Sequence, residues 1–198
     1  MGYDYHVVLG TLAAAIGIIG YIPYYRDIFR GVTKPHPFSW LGWGFLNSFV
    51  FFAQIAKGGG PGAWTSAATA LGIFGIVFLS FRKGEKDITI FDHICFGGFI
   101  LAAILWLITK NPLHGVIIAT IADLIAYAPT FRKTYIKPHS ETISTYVLST
   151  IKYITSLFAL LSFNLTTALF PVVIILSNTA FITMVILRRR AIGAQSSV

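Results

Sequence analysis

The sequence predicts an all-α polytopic membrane protein of seven transmembrane helices, arranged as two parallel triple-helix bundles joined by one linking helix (3+1+3). Three observations predict it. Charged residues make up 11% of the 198 and AVILMFWYC 56%, against roughly 25% and 45–50% in soluble domains. So few charges cannot cover a water-facing surface of this size, so lipid must solvate most of the chain. The apolar residues are collected in seven runs of about 20 residues, the length that spans a bilayer. A block also occurs twice: Tyr21-Ile22-Pro23 followed by Arg26, and Tyr127-Ala128-Pro129 followed by Arg132. Lys34-Pro35-His36 then matches Lys137-Pro138-His139, and Ser39-Trp40 roughly matches Ser144-Thr145-Tyr146. The offset is 106 at the first block, 103 at Lys-Pro-His, 105 at the serines and 106 again where Arg82-Lys83 meets Arg188-Arg189.

The predicted spans are 5–25, 38–57, 62–81, 90–109, 112–131, 143–163 and 168–187. Only Asp4 precedes the first, with no basic segment ahead of it and no evident cleavage site, which is the pattern of a retained span. The connections then alternate in charge. Arg26, Arg30 and Lys34 follow the first span, and Arg82, Lys83 and Lys86 the third. Arg132, Lys133 and Lys137 follow the fifth, and Arg188, Arg189 and Arg190 the seventh, whereas the intervening connections hold only Lys57 and Lys110. Cytoplasmic loops collect Lys and Arg, so twelve against two predicts an N-terminus outside and a C-terminus in the cytoplasm, in a bacterial inner membrane or its equivalent.

The fourth span follows from the same alternation. A unit of three helices ends on the side opposite its start, and both units carry basic residues after their first and third helices, so one extra helix must return the chain. The predicted units are 1–84 and 111–190, with 85–110 carrying the linking helix and 191–198 a cytoplasmic tail.

This arrangement resembles the PQ-loop and SWEET superfamily of seven-helix small-solute transporters, parallel-repeat membrane proteins. The family's Pro-Gln dipeptide stands here as Pro23-Tyr24 and Pro129-Thr130, the proline kept and the glutamine absent in both copies. The resemblance implies a carrier of a small polar or aromatic solute working by alternating access. The alternative it leaves open is a receptor or sensor that binds a ligand without net transport.

Pro23 and Pro129 lack amide hydrogens, freeing the carbonyls of Ile19 and Ile125 and bending their helices. They are static kinks or, as the resemblance implies, hinges. Asp123 lies inside the fifth span, where a carboxylate costs about 2.5–3.5 kcal/mol on insertion scales and so faces a cavity, a partner or a proton path. Thr120 and Tyr127 share its face, and Gly17 stands at its place in the first unit. Proton coupling through Asp123 is what the resemblance implies; a hydrogen-bonded structural carboxylate is the alternative. Lys152 lies inside the sixth span, on a polar face with Thr145, Ser149 and Ser156 and at the position matching Asn47. A buried lysine must find a counter-charge, lose its proton or snorkel, and Asp123 is the only acid well inside another span, so the two are expected to pair, as a structural salt bridge or as one that opens during transport.

Ser39, Trp43, Asn47 and Gln54 fall on one broad face of the second span. Trp40 is expected as an interfacial anchor, and Trp43 as either an anchor or a substrate platform. Asn178 matches Gly72 and resembles the asparagine the family places in the third helix of a repeat; polar helix packing is its other explanation. The predicted solute site is thus Trp43, Asn47, Tyr127, Lys152 and Asn178, beside Asp123.

Small residues Gly10, Ala14 and Gly17, and Ala68, Gly72 and Gly75, suit close helix packing. His36 and His139 follow prolines in loops, which favours turn chemistry over metal ligation. Cys95 is the single cysteine, which excludes an intrachain disulfide and a cysteine-based zinc site. Asp92 and His93 open the fourth span as ordinary interfacial residues. There is no nucleophile–base pair, phosphate loop or paired-carboxylate motif, so neither an enzyme nor a cofactor is expected. The partners expected are the lipid bilayer and a small solute, with a homo-oligomer left open and nucleic acid excluded, because the basic residues are dispersed between spans.

Overall fold

The computed structural model describes residues 4–109 and 111–195, and among them it is all-helical with no strand. In order the helices are α1 (Tyr5–Phe29), α2 (Pro37–Ala56), α3 (Trp64–Lys83), α4 (Ile90–Thr109), α5 (Pro112–Ile136), α6 (Ile143–Phe158) and α7 (Leu165–Gln195), with a 3-10 turn at Gly60–Ala63 before α3. Among the described residues, four helical segments are long and apolar enough to cross a membrane: Tyr5–Phe29, Gly60–Lys83, Pro112–Ile136 and Leu165–Ile192.

Local chemistry sets the helix starts. Asp4 accepts the amide of His6 at 3.0 Å to open α1, and Asn111 accepts that of Leu113 at 3.0 Å to open α5 behind Pro112. Each supplies an acceptor for an amide that has no partner inside its helix. Pro37 opens α2, where its missing amide hydrogen costs nothing.

Several boundaries differ from the sequence-based spans. The helix of α1 continues through Pro23 to Phe29, and that of α5 through Pro129 to Ile136. Each proline removes one hydrogen bond and leaves the flanking turns intact. The third helix starts at Trp64, since Gly58 and Gly60 adopt φ of 74° and 56° and turn the chain just before it. The sixth ends at Phe158, five residues early. There the side-chain oxygen of Asn164 accepts the amides of Thr166 and Thr167 at 3.0 and 3.2 Å, and Thr167 Oγ1 donates to the Ser162 carbonyl at 2.7 Å. These bonds cap α7 and take the preceding residues out of the helix. At its far end α7 runs to Gln195, well beyond 187, and through most of the expected tail. Arg188 Nε donates to the Tyr135 carbonyl at 3.1 Å and Arg189 Nε to that of Pro138 at 2.8 Å, which fastens the extension to the end of α5 and the turn beyond it.

Packing follows one scheme on both sides of the molecule. The α3 helix lies against α1 and α2, and α7 against α5 and α6; across the middle α1 meets α6 and α2 meets α5, while α4 lies on α5 and α2. Close contacts occur where the sequence has glycine. A Cβ at Gly10 would overlap Pro61, one at Gly72 the ring of Tyr21, and one at Gly75 the hydroxyl of Tyr25. Only glycine allows those approaches.

The outside carries many large apolar side chains, while the interior mixes apolar clusters with buried polar and ionisable residues. Leu71 on α3 is 75% exposed and Ile18, Ile19 and Ile22 on α1 are all more than half exposed, while Asn47, Asp123 and Lys152 are buried. Two apolar clusters fill the interior. One gathers Tyr24, Ile28, Trp40, Tyr146, Phe181 and Val185 towards the end that carries the basic connections. The other gathers Leu46, Val50, Val116, Ala119 and Phe170 towards the opposite end. A band of polar residues, Asn47, Asp123 and Lys152 among them, lies between the two clusters.

Candidate functional site

The polar band encloses a cavity of about 60 Å³, space for a few waters or a small solute. Among the described residues, six helices contribute walls. Tyr21 comes from α1, Trp40, Trp43 and Asn47 from α2, and Thr69 and Ile73 from α3. Asp123 and Tyr127 come from α5, Thr145, Tyr146, Ser149, Lys152 and Tyr153 from α6, and Ile174 and Asn178 from α7. All six residues expected at the site or beside it, Trp43, Asn47, Asp123, Tyr127, Lys152 and Asn178, are therefore brought to one cavity.

Their contacts divide them. Asn47 is spent on structure: its amide donates to the Trp43 carbonyl at 2.9 Å, and its oxygen accepts from Tyr153 at 2.6 Å. Asn178 is half spent, since its oxygen accepts from Tyr127 at 3.2 Å while its buried Nδ2 has no hydrogen-bond partner. Trp43 stands edge-on to Tyr127 with ring centroids 5.1 Å apart, as a wall. Trp40 is 3% exposed and packs on Tyr24 and Trp43 inside the aromatic cluster, so it is not the interfacial anchor expected.

Asp123 and Lys152 do not form the ion pair expected of them. Lys152 Nζ donates to Thr69 Oγ1 at 2.6 Å and lies over the rings of Tyr21 and Tyr153 at 5.3 and 4.8 Å. Its stem packs on Gly17, whose Cβ position is 3.4 Å from Lys152 Cδ. Asp123 is 1% exposed, and its Oδ2 has no hydrogen-bond partner. The face-sharing that brings both to the cavity is legible in helical periodicity; the rotation that keeps them from meeting is not. A smaller pocket between α1 and α6 shares Lys152, Tyr21 and Ser149 with the main cavity.

At the end with the basic connections, Glu141 closes the bundle. It is 3% exposed and accepts Tyr24 at 3.0 Å, Tyr146 at 3.2 Å and Lys133 in an ion pair. Lys133 Nζ also donates to the Lys34 carbonyl at 2.7 Å, and Arg189 Nη2 to the Glu141 carbonyl at 2.8 Å. The Lys34 amide reaches Ser140 at 3.5 Å, joining the two Lys-Pro-His segments. Beside this network His36 lies in the loop before α2, as expected, but wholly buried, with Nε2 3.5 Å from Asp92 Oδ2. Burial, opposed by Asp92, lowers the His36 pKa and favours the neutral ring. Asp92 is no ordinary interfacial acid: it is buried, accepts Arg132 at 2.9 Å and caps its own helix through Thr89. His139 remains exposed in its turn.

Glu85, also at this end, feels burial first. The amides of Asp87 and Lys86 and the Lys137 ammonium outweigh it and hold the carboxyl below the usual range. Its contribution to stability is present above the unfolded-state pKa and lost as pH falls through the lower folded value. At the opposite end Gln54 accepts from Ser66 and donates to the Thr167 carbonyl, both at 3.0 Å, bridging α2, α3 and α7.

Tyr21, Tyr146 and Tyr153 were missed as site residues, yet the duplication holds the signal. Tyr21 and Tyr146 stand 106 residues from Tyr127 and Trp40, and Tyr153 follows Lys152, the residue matched to Asn47. Glu141 and Thr69 have no such signal, since neither has an equivalent of its own kind.

The fold and the site define an all-helical protein, four of its helical segments long and apolar enough to cross a membrane, with two ionisable side chains on a cavity walled by six helices. No protein-family model, curated protein or solved structure matches the chain.

Proposed function

We propose that this protein is a carrier of a small polar or aromatic solute across a membrane, of the PQ-loop and SWEET type, working by alternating access between two triple-helix units. The observation that carries the proposal is a buried cavity lined by two ionisable side chains, Asp123 and Lys152, with polar bridges at either end of the bundle, Glu141–Lys133 at one and Gln54 at the other. A protein that only packs against lipid has no use for buried charges without direct counter-ions, which are costly there.

All seven helices cross the membrane in this proposal, with 1–84 and 111–190 as the two units and α4 as the return helix. The packing supports it. The third helix of each unit lies between the other two, and the contacts between units exchange first and second helices, α1 with α6 and α2 with α5. One pair of equivalent positions also recurs: Tyr21 lies on Gly72 as Tyr127 lies on Asn178, each partner 106 residues on. The N-terminus is outside and the basic connections are cytoplasmic, in a bacterial inner membrane or its equivalent. Single cysteines placed at Lys34, Lys86 and Lys137 in a Cys95→Ser background are expected to resist an impermeant thiol reagent added to intact cells. Labelling of two of them from outside overturns this orientation.

Solute counterflow in proteoliposomes tests carriage against binding alone, since a receptor saturates without moving its ligand. Pro23 and Pro129 serve as hinges in this mechanism. The double change Pro23→Ala and Pro129→Ala restores two backbone hydrogen bonds and stiffens both helices. Counterflow is expected to slow with little change in thermal stability; an unaltered rate makes them static kinks.

A further inference from the structure

We infer that the cavity binds a small zwitterion, one molecule bearing both an ammonium and a carboxylate; that it is then carried across rests on the carrier proposal. Asp123 and Lys152 border the same cavity from adjacent elements of the chain, yet they are not within the 4.0 Å of an ion pair. Each has unspent capacity. Asp123 Oδ2 is buried without a hydrogen-bond partner, and Lys152, with three N–H groups, has one hydrogen-bond acceptor, Thr69. The Tyr127 hydroxyl fixes the Asn178 amide so that its Nδ2 is left over, a further donor at the cavity wall.

Charge balance selects the ligand. With both ionised, the two side chains together carry no net charge, so a zwitterion enters without leaving one and gives each of them a counter-ion. A monoanion leaves Asp123 unanswered, and a monocation leaves Lys152. A neutral polyol answers neither charge. Capacity selects among zwitterions: about 60 Å³ walled by Trp40, Trp43 and Tyr127 admits a compact molecule with little beyond its charged ends. The rigid aromatic walls leave the charged ends to determine orientation.

The test uses the purified full-length protein in detergent, with tryptophan fluorescence and calorimetry as readouts. The probes are glycine, L-alanine and L-valine, then propionate and ethylamine, which are L-alanine without its ammonium and without its carboxylate, and D-glucose as a neutral polyol. At least one of the three amino acids is expected to bind, with L-alanine at least about tenfold tighter than propionate or ethylamine, the loss expected when a buried charge goes unanswered. Equal binding of L-alanine and either truncated analogue overturns the inference, as does binding of D-glucose without any amino acid, or no binding by any of the three. These comparisons need no variant. In support, Lys152→Met is expected to weaken L-alanine more than ethylamine, and Asp123→Asn to weaken it more than propionate; losses equal for all ligands overturn the assignment of roles. Flux separates this inference from carriage. Amino acid binding without counterflow removes the carrier and keeps the site, whereas counterflow of D-glucose without amino acid binding does the reverse.

Discussion

Glu141→Gln is expected to destabilise the protein by about 3–5 kcal/mol, the cost of breaking a buried ion pair from one side. The change leaves the Lys133 ammonium, with a side chain 2% exposed, in a site without a counter-charge. It also places an amide NH₂ among donors, because Tyr24, Tyr146 and Lys133 all donate to this carboxylate. A double change with Lys133→Met removes the stranded cation and is expected to recover most of the loss. Unfolding of the four proteins in detergent measures the cycle. If Glu141→Gln and the double variant are equally destabilised, the pair contributes by packing alone. Under the carrier mechanism the same substitution also loosens the ties among α1, α5 and α6 at the cytoplasmic mouth, while the Arg189 bond to the Glu141 backbone carbonyl stays. A cysteine at Ser149, on the cavity wall, is then expected to react faster with a reagent supplied from that side. An unchanged rate separates this network from the gate.

How far the sequence anticipates these features depends on the range of the interaction. The all-helical fold rests on hydrophobic run lengths and is read directly. So is the inward face of α5, because Asp123 and Tyr127 are four residues apart and must share a side. The end of α6 is harder. An apolar run through residue 163 looks helical until Asn164 and Thr167 claim the backbone for the next cap. The Asp123–Lys152 pair fails for a different reason. Periodicity places each residue on its own helix, but the rotation and spacing between α5 and α6 depend on contacts elsewhere, such as Gly17 against the Lys152 stem. Trp40 shows how a positional rule can lose to packing. Tryptophan near a helix end is commonly an interfacial anchor, yet here Tyr24 at a ring distance of 4.7 Å draws it into the core. Glu141 is invisible beforehand, since its partners come from residues 5 to 117 positions away.

Asp123→Asn is expected to abolish pH-gradient-driven accumulation while sparing exchange down a gradient. A carboxylate between two units can take a proton on one side and release it on the other; an amide cannot. If Asp123 also answers the ammonium of the solute, the variant binds about tenfold or more weakly. Raising the solute concentration in proportion is then expected to recover counterflow, and accumulation is expected to stay lost. Accumulation that continues in Asp123→Asn removes this residue from proton coupling. The geometry further sets the energetic relation to Lys152. Coulomb energy falls with distance, and these two charges lie beyond 4.0 Å, on a cavity with room for water, whereas Lys133 and Glu141 are in direct contact. The coupling energy of the cycle Asp123→Asn with Lys152→Met should therefore fall below that of Lys133→Met with Glu141→Gln, both measured without solute. Adding L-alanine is expected to change the first cycle and leave the second unmoved, because only the cavity pair meets the ligand. A coupling at 123 and 152 as large as that at 133 and 141 would mean that the two charges pair directly, with no place between them for a zwitterion.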